Sequence, residues 1–459
     1  MMPPLLMAFF IILFLSGDLL AQRITYESLR MRDRQPYLFL EHLAVPNPES
    51  DEVTLVSQFR LENNFLNFRR YQGDTADGSR QFYAEPTVRL NIRKRSDDDS
   101  DQRQDSRTRT WSETVYTETY EQTQSSTTFV QNLLKTSLQP GTYRIESTAS
   151  SNSRSRQGVT SGLRIPDQDD TDFAILYFLD KQSENISTER TPLMNMGRNV
   201  YFGRDHQIAI WFPAIKEESE YTMKIEQLRT QRRDTSVVRT VSEYTLDPQN
   251  FLSGLYPQID MHNDRPHFEL LDYNGSNETG FFYLVHIPNS TFENAHYRLR
   301  LYKSSPEGEE KTLVRRTYQS LWLDMPVSLL NLDIAIQMME FILDDEAHRE
   351  MRRGSQEQKE RRFREYWKER DPSPDREYNE LMVEYFRRID YAFENFSTPQ
   401  KRGYESDQGK IYIRNGEPNR KERTFPPGGT TREVWHYSNR TYVFEATTGF
   451  GDYRLIEQR

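Results

Sequence analysis

The chain has 459 residues, 35% of them hydrophobic and 28% charged. Its formal net charge is -10, or -9 once residues 1–21 and their single charge, Asp18, are removed. This length favours two to four domains, and charges of both signs are interspersed, which argues against the broad basic field of a nucleic-acid binder. Cysteine is absent, so disulfides, thiolate-bound metal, a thiol nucleophile and a lipidated cysteine are excluded.

The amino terminus, MMPPLLMAFFIILFLSGDLLAQ, holds an unbroken apolar run of eleven residues from Leu5 to Leu15. That is short for a bilayer span and suits the apolar region of a secretory signal, with Ala21 as a small residue for cleavage. Residues 1–21 are therefore expected to be a signal peptide, the alternative being an uncleaved anchor, and membrane contact is expected only in that second case. Six Asn-x-Ser/Thr triplets matter only in a host that glycosylates them.

Residues 23–165 alternate apolar and polar positions in short runs, among them YLFL (37–40), VTLVSQFRL (53–61), TVRLNI (87–92) and TYRI (142–145). Period two predicts antiparallel strands and a first β-sandwich. RSDDDSDQRQDSR (95–107) reads as a charged insertion and STASSNSRSRQ (147–157) as a long exposed hairpin tip. PDQDDTD (166–172) marks a boundary. Its aspartates could offer oxygen to calcium, but the glycine turn and distal glutamate of an EF-hand loop are missing, and a solvated linker is the expected reading.

Residues 173–325 repeat the strand pattern in AILYFL, NVYFG, HQIAIWF, YTMKIEQL, FFYLVHI, HYRLRLY and TLVRRTY, which predicts a second, Ig-like sandwich in tandem. Twenty-six Tyr and twenty-six Phe supply cores for such sheets. His262 and His267 fall on an expected loop and read as surface residues, so no metal site is predicted.

A helical segment is expected over 326–398. SLLNLDIAIQMMEFILDD (328–345) is apolar nearly all round and reads as a buried helix. An exposed helix interrupted near Gly354 follows. SPDREYNELMVEYFRRIDYAFENF (373–396) predicts a helix capped by Ser373 with Pro374 in its first turn. Tyr378, Leu381, Met382, Tyr385, Phe386, Ile389 and Phe393 form its apolar stripe, expected to be core packing. Over 399–459, KIYIR (410–414) reads as a strand ending in an Asn415-Gly416 turn, VWHY and TYVFEA as a hairpin, and DYRLI as the last strand. The whole predicts a mainly β chain with an α+β carboxyl-terminal part, whose small β domain takes in helices from 363.

Several motifs in order resemble the GWxTD-domain family of exported bacterial proteins, over about 95 residues. YWKERDPSPDREYNE (366–380) supplies Trp367, Arg370, Asp371, Pro372, Asn379 and Glu380. EYFRRIDYAFENFS (384–397) matches the family's aromatic helix. GYESDQGKIYIRNGEP (403–418) supplies Gly403, Tyr404, Ser406, Asp407, Tyr412, Gly416 and Pro418, with Tyr404 standing for the name motif's Trp and Ser406 for its Thr. EVWHY (433–437) and GFGDYRLI (449–456) supply Trp435, Gly449, Phe450, Gly451, Asp452 and Tyr453. The resemblance implies an exported protein, in the periplasm or on the outer envelope, and brings no established reaction with it.

Two readings of these residues stay open. Asp407 could act as a general acid or base beside Asp371 and His436, giving a hydrolase-type site between the helices and the last sheet. Alternatively Ser406 and Asp407 accept backbone N–H groups and lock a turn, with Tyr404 as an aromatic anchor. The second reading predicts a non-enzymatic structural or binding protein without cofactor, using sheet edges and exposed aromatics toward another envelope protein or a glycan. No HExxH, GxSxG or P-loop pattern occurs.

Overall fold

The computed structural model describes residues 25–32, 38–73, 80–95, 106–125, 127–151, 154–157, 160–167, 169–183, 188–216, 218–231, 234–425, 429–447 and 451–459. Residues 1–21, expected to be a signal peptide, most of the 95–107 insertion, Gly449 and Phe450 lie outside them. Seven helices are present among the described residues: α1 Tyr26–Arg32, α2 Tyr120–Thr123, α3 Leu332–Met338, α4 Asp345–Met351, α5 Gln356–Lys368, α6 Glu380–Phe396 and α7 Asp407–Asn415. Antiparallel sheets make up most of the rest, as the period-two alternation predicts, with helices and then a small antiparallel sheet at the carboxyl-terminal end.

The described residues fall into two compact units. One is drawn from Gln35–Met325 with Glu365–Glu384, the other from Met1–Arg34, Pro326–Arg364 and Tyr385–Arg459.

In the sheet-rich unit, Leu38–Pro46 is an edge strand beside Val53–Glu62, which pairs in turn with Phe129–Leu138. Gly141–Ser151 is flanked by Pro86–Lys94 on one side and by Arg154–Gln157 and Ser161–Ile165 on the other. Ile175–Leu179 is the edge of a sheet continued by His206–Phe212 and Phe281–Ile287. Glu310–Leu321 has only the two-residue strand Val200–Tyr201 beyond it, in parallel pairing at Ser320 and Leu321. Alternation carries the core: Phe39, Leu43, Val88, Leu90, Ile92, Tyr143 and Ile145 all point inward. One continuous hydrophobic cluster joins Leu43, Leu55, Ile92 and Ile145 to Tyr177, Trp211, Phe268 and Phe282, so strands from either side of 166–172 share a core.

The acidic 166–172 segment is tied down. Asp170 pairs with Arg164 at 2.5 Å, and Asp172 pairs with Lys303 at 2.7 Å and with Lys311. The two lysines hold the Asp172 carboxyl down at about 2. The serine-rich piece is not simply an exposed tip: Ser147, Ala149 and Ser151 are buried because the Gly141–Ser151 strand runs through it. His262 and His267 sit on the paired strands Leu255–His262 and Arg265–Asp272, not on a loop. The turn between them uses Asn263 and Asp264 at φ 48° and 58°, the left-handed pair a two-residue hairpin needs.

The carboxyl-terminal part of the chain corrects several sequence expectations. KIYIR is helical, not a strand: it lies in α7, which Ser406 caps at one end and Gly416, at φ 77°, closes at the other. Capping at both ends outweighs the β-propensity of Ile411, Tyr412 and Ile413. Asn415-Gly416 is accordingly a helix end and not a hairpin turn. α6 starts at Glu380, because Asn379 Oδ1 accepts from Met382 N at 2.8 Å; Ser373 N instead donates to Asp371 Oδ1 at 2.9 Å in a turn. Tyr378 thus precedes the helix, and Leu381 of the expected stripe is exposed. Residues 328–345 form no single helix. Asn331 restarts the chain by accepting from Ile334 N, α3 ends at Met338, and Leu330 and Ile342 are exposed. The Gly354 interruption between α4 and α5 is present at φ 87°, and the expected hairpin forms from Arg432–His436 and Thr441–Ala446.

Candidate functional site

The motif residues of the carboxyl-terminal unit are engaged locally. Gly403 opens a short 3-10 turn, and a Cβ there would lie 1.9 Å from the carbonyl oxygen of Ala392 in α6. Its N–H donates to Ser397 Oγ at 2.8 Å. Ser406 Oγ accepts from Gly409 N at 2.9 Å and donates to Gly403 O at 2.6 Å, so one hydroxyl caps α7 and closes the turn before it. Gly409 has no more room than Gly403: its Cβ would lie 1.9 Å from Gly403 O. Asp407, in the first turn of α7, accepts from Leu455 N at 2.8 Å and ties the helix to the last strand.

Tyr404 is 2% exposed and packs among Tyr26, Phe341 and Phe393, with ring centroids 5.9, 6.5 and 6.0 Å away. Burial pushes its hydroxyl up to about 12, with Arg402 beside it opposing. Tyr412 stacks on Tyr391 at 4.3 Å, and Trp435 is fully buried against Phe396 and Phe444. The Trp435 indole N–H donates to Glu433 Oε1 at 2.6 Å, and Arg423 holds the other oxygen at 3.1 Å. Gly416 O accepts from the Tyr437 hydroxyl, and Pro418 is buried ahead of the Arg420–Thr424 strand. Asp452 O accepts from Thr447 N in the last turn, Gly451 there has φ 82°, and Tyr453 opens the final strand.

Trp367, Arg370, Asp371, Pro372, Asn379 and Glu380 lie in the sheet-rich unit. Trp367 is buried, and its carbonyl accepts from Asn379 Nδ2 at 2.8 Å. The Arg370 guanidinium lies 3.8 Å from the centre of the Tyr366 ring, while Pro372 and Glu380 are exposed. Of the weak catalytic set, Asp371 therefore belongs to one unit and Asp407 and His436 to the other. His436 Nε2 faces Glu422 at 3.4 Å, apart from the Leu455 contact of Asp407. A cavity of about 170 Å³ beside Tyr404 is lined by Tyr26, Gln337 and Arg402, and its carboxylate, Glu27, is held by Arg402 at 2.7 Å.

Sequence reasoning missed Asp390 of α6. Its carboxylate accepts from the Tyr26 hydroxyl at 2.7 Å, Val327 N at 2.7 Å and Ser328 Oγ at 3.2 Å, joining α1, the 327–330 turn and α6. Burial outweighs these donors and pushes it up to about 6.

A concavity of about 660 Å³ lies in the sheet-rich unit, well within the range of ligand sites. Four strands line it: Leu38–Ala44 from one edge strand, Ser161–Arg164 from a second, the start of the Ile175–Leu179 strand with Phe173 and Ala174 before it, and Val314–Leu321 where Val200–Tyr201 leaves the neighbouring strand uncovered. Gly197 and Arg198 close one side. Within the lining, Arg316 and Glu41 form an ion pair at 2.7 Å, each side chain only 6% exposed. The Arg316 guanidinium also lies 3.8 Å from the centre of the Phe178 ring. Sequence reasoning missed this pair as well. The signal was register: Glu41 falls between inward Phe39 and Leu43, and Arg316 is two residues from inward Tyr318.

Among the described residues, no helix is long and apolar enough to cross a membrane, and no cluster of three or more His, Asp or Glu side chains has metal-binding geometry. No curated protein matches the chain. Among solved structures, it aligns with the C-terminal domain of the antigen I/II-family protein AspA of Streptococcus pyogenes at 10% identity, over 62% of this chain and 99% of that one, with a TM-score of 0.16. The C-terminal domain of the AgI/II polypeptide BspA of Streptococcus agalactiae aligns at 10% identity over 62% and 100%, with a TM-score of 0.14. The purple acid phosphatase PPD1 of yellow lupin (Lupinus luteus) aligns at 5% identity over 63% and 42%, with a TM-score of 0.18. The resemblance carried by the motifs is met by a family model: residues 328–454, in the carboxyl-terminal part of the chain, match the GWxTD domain.

Proposed function

We propose that the protein is an exported, non-enzymatic binding protein of the bacterial envelope, which holds an extended segment of another envelope protein in the cleft of its sheet-rich unit. The observation that carries this reading is the convergence of strand borders from four sheets on one cleft of about 660 Å³. An uncovered strand border offers a row of backbone donors and acceptors, and an extended segment is the partner that satisfies such a row. The engagement of Gly403, Tyr404, Ser406 and Asp407 in packing and capping supports a structural role for the motif rather than a hydrolase site. Export rests on the amino-terminal apolar run and on the kind of protein the GWxTD match resembles. The anchored alternative is decided by amino-terminal sequencing of the mature protein.

The absence of cysteine makes a direct test clean. Gly162 lies on the Ser161–Ile165 edge strand, faces the cleft and has open space beside it. Gly162→Cys carrying a benzophenone is expected to cross-link one envelope protein through a short internal segment, mapped by mass spectrometry. The same label at exposed Glu310 is expected to give none. Equal labelling from both positions, or none from either, would contradict the reading.

A further inference from the structure

We infer that the segment held in the cleft is an extended peptide bearing acidic side chains, with Arg198 and Arg315 as the groups that recognise its carboxylates; this rests on the binding reading above. Four arginines line the cleft against one carboxylate. Two of the four are spent inside the protein: Arg164 on Asp170 at 2.5 Å, and Arg316 on Glu41 at 2.7 Å. Arg198 and Arg315 are exposed and have no ion partner among the described residues. The cleft therefore carries an excess of two positive charges that nothing described in the chain neutralises.

The backbone at Arg198 is also constrained. It is left-handed at φ 77°, after Gly197 at φ 55°, and a Cβ on Gly197 would lie 3.1 Å from Leu40 N. The turn is thus packed on the Leu38–Pro46 strand, and the Arg198 side chain leaves the cleft wall from a constrained backbone position. A planar guanidinium without an internal partner suits two-point recognition of a carboxylate.

The rest of the lining favours a peptide over an acidic glycan. Leu40, Leu163 and Phe173 are half-buried and can seat one row of side chains, while the alternate row of an extended chain faces the arginines. A sugar ring would need a free aromatic face, and that of Phe173 already has the Arg164 guanidinium 5.3 Å from its centre.

The test uses three fluorescein-labelled dodecapeptides with valine and threonine at one set of alternate positions and Glu, Ser or Lys at the other, titrated into the full chain by anisotropy. The Glu peptide is expected to bind at least tenfold tighter than the Ser peptide, with affinity falling as salt rises. In Arg198→Glu/Arg315→Glu the order of the Glu and Lys peptides is expected to reverse, with the melting temperature unchanged. Equal binding of Glu and Ser peptides, untouched by charge reversal, would overturn the inference and leave the binding reading standing. Tighter binding of polygalacturonate, competing with the Glu peptide, would overturn the peptide as occupant. No binding of any peptide would sink the cleft reading itself.

Discussion

The Gly403–Gly409 turn and the cleft of the sheet-rich unit differ in what their polar groups do. In the turn, the Ser406 hydroxyl both donates and accepts, and Asp407 is bonded to the last strand. At the cleft, Arg198 and Arg315 have no ion partner among the described residues and three edge strands border open space. A side chain fully used inside the fold has little left to offer a ligand, whereas an exposed charge without a partner retains its full capacity. By that criterion, the polar groups of the Gly403–Gly409 turn are spent on the fold, while the exposed unpartnered charge sits in a part of the chain with no motif.

The comparison can be broken at several points. The largest effect is expected within the cleft lining. Glu41→Gln leaves the Arg316 guanidinium buried without its counter-ion, and should cost about 3–5 kcal/mol in denaturant unfolding of the sheet-rich unit. In the motif, Gly409→Ala forces a Cβ onto a carbonyl oxygen, and is expected to cost about 3 kcal/mol. Ser406→Ala removes the α7 cap, and about 1 kcal/mol is expected from the same measurement.

A pH titration sharpens the picture of the carboxyl-terminal unit. The folded Asp390 carboxyl, at about 6, lies above its ordinary value of 3.8, so the fold holds the proton more tightly than the unfolded chain does. The stability this group contributes is complete below about 3.8 and is lost as pH rises through about 6. Wild type minus Asp390→Asn should therefore fall over that window and flatten above it; a rising difference would contradict the burial of the carboxyl. The smallest effect belongs to Arg198→Glu/Arg315→Glu, within about 0.5 kcal/mol of wild type, because neither arginine supports the fold.

Much of the sheet architecture was legible in the sequence, because alternation is a direct record of which face is buried: Leu38–Leu40, VTLVSQFRL and HQIAIWF are strands as expected. The helix boundaries were not. KIYIR has the composition of a strand, and only the cap at Ser406 and the close at Gly416 make it a helix. At α6, Ser373 has the composition of a cap, but Asn379, six residues on, holds the first turn. The motif residues could be named from sequence, but not their partners, since Leu455 and Ala392 are far from Asp407 and Gly403 along the chain. The cleft was illegible for the same reason. Its walls come from segments as far apart as Leu38 and Leu321, and a lone arginine such as Arg198 shows its lack of a partner only once the chain has folded.

The central claim, that the motif is structural and recognition lies elsewhere, is tested most directly by one paired measurement on Asp407→Ala: its thermal melt, and its affinity for the Glu-bearing peptide below the melt. The account predicts a lowered melting temperature, from a loss of about 1 kcal/mol, with the affinity of the folded protein unchanged. An unchanged melt with binding lost would contradict it, and would make the 403–407 turn the functional site.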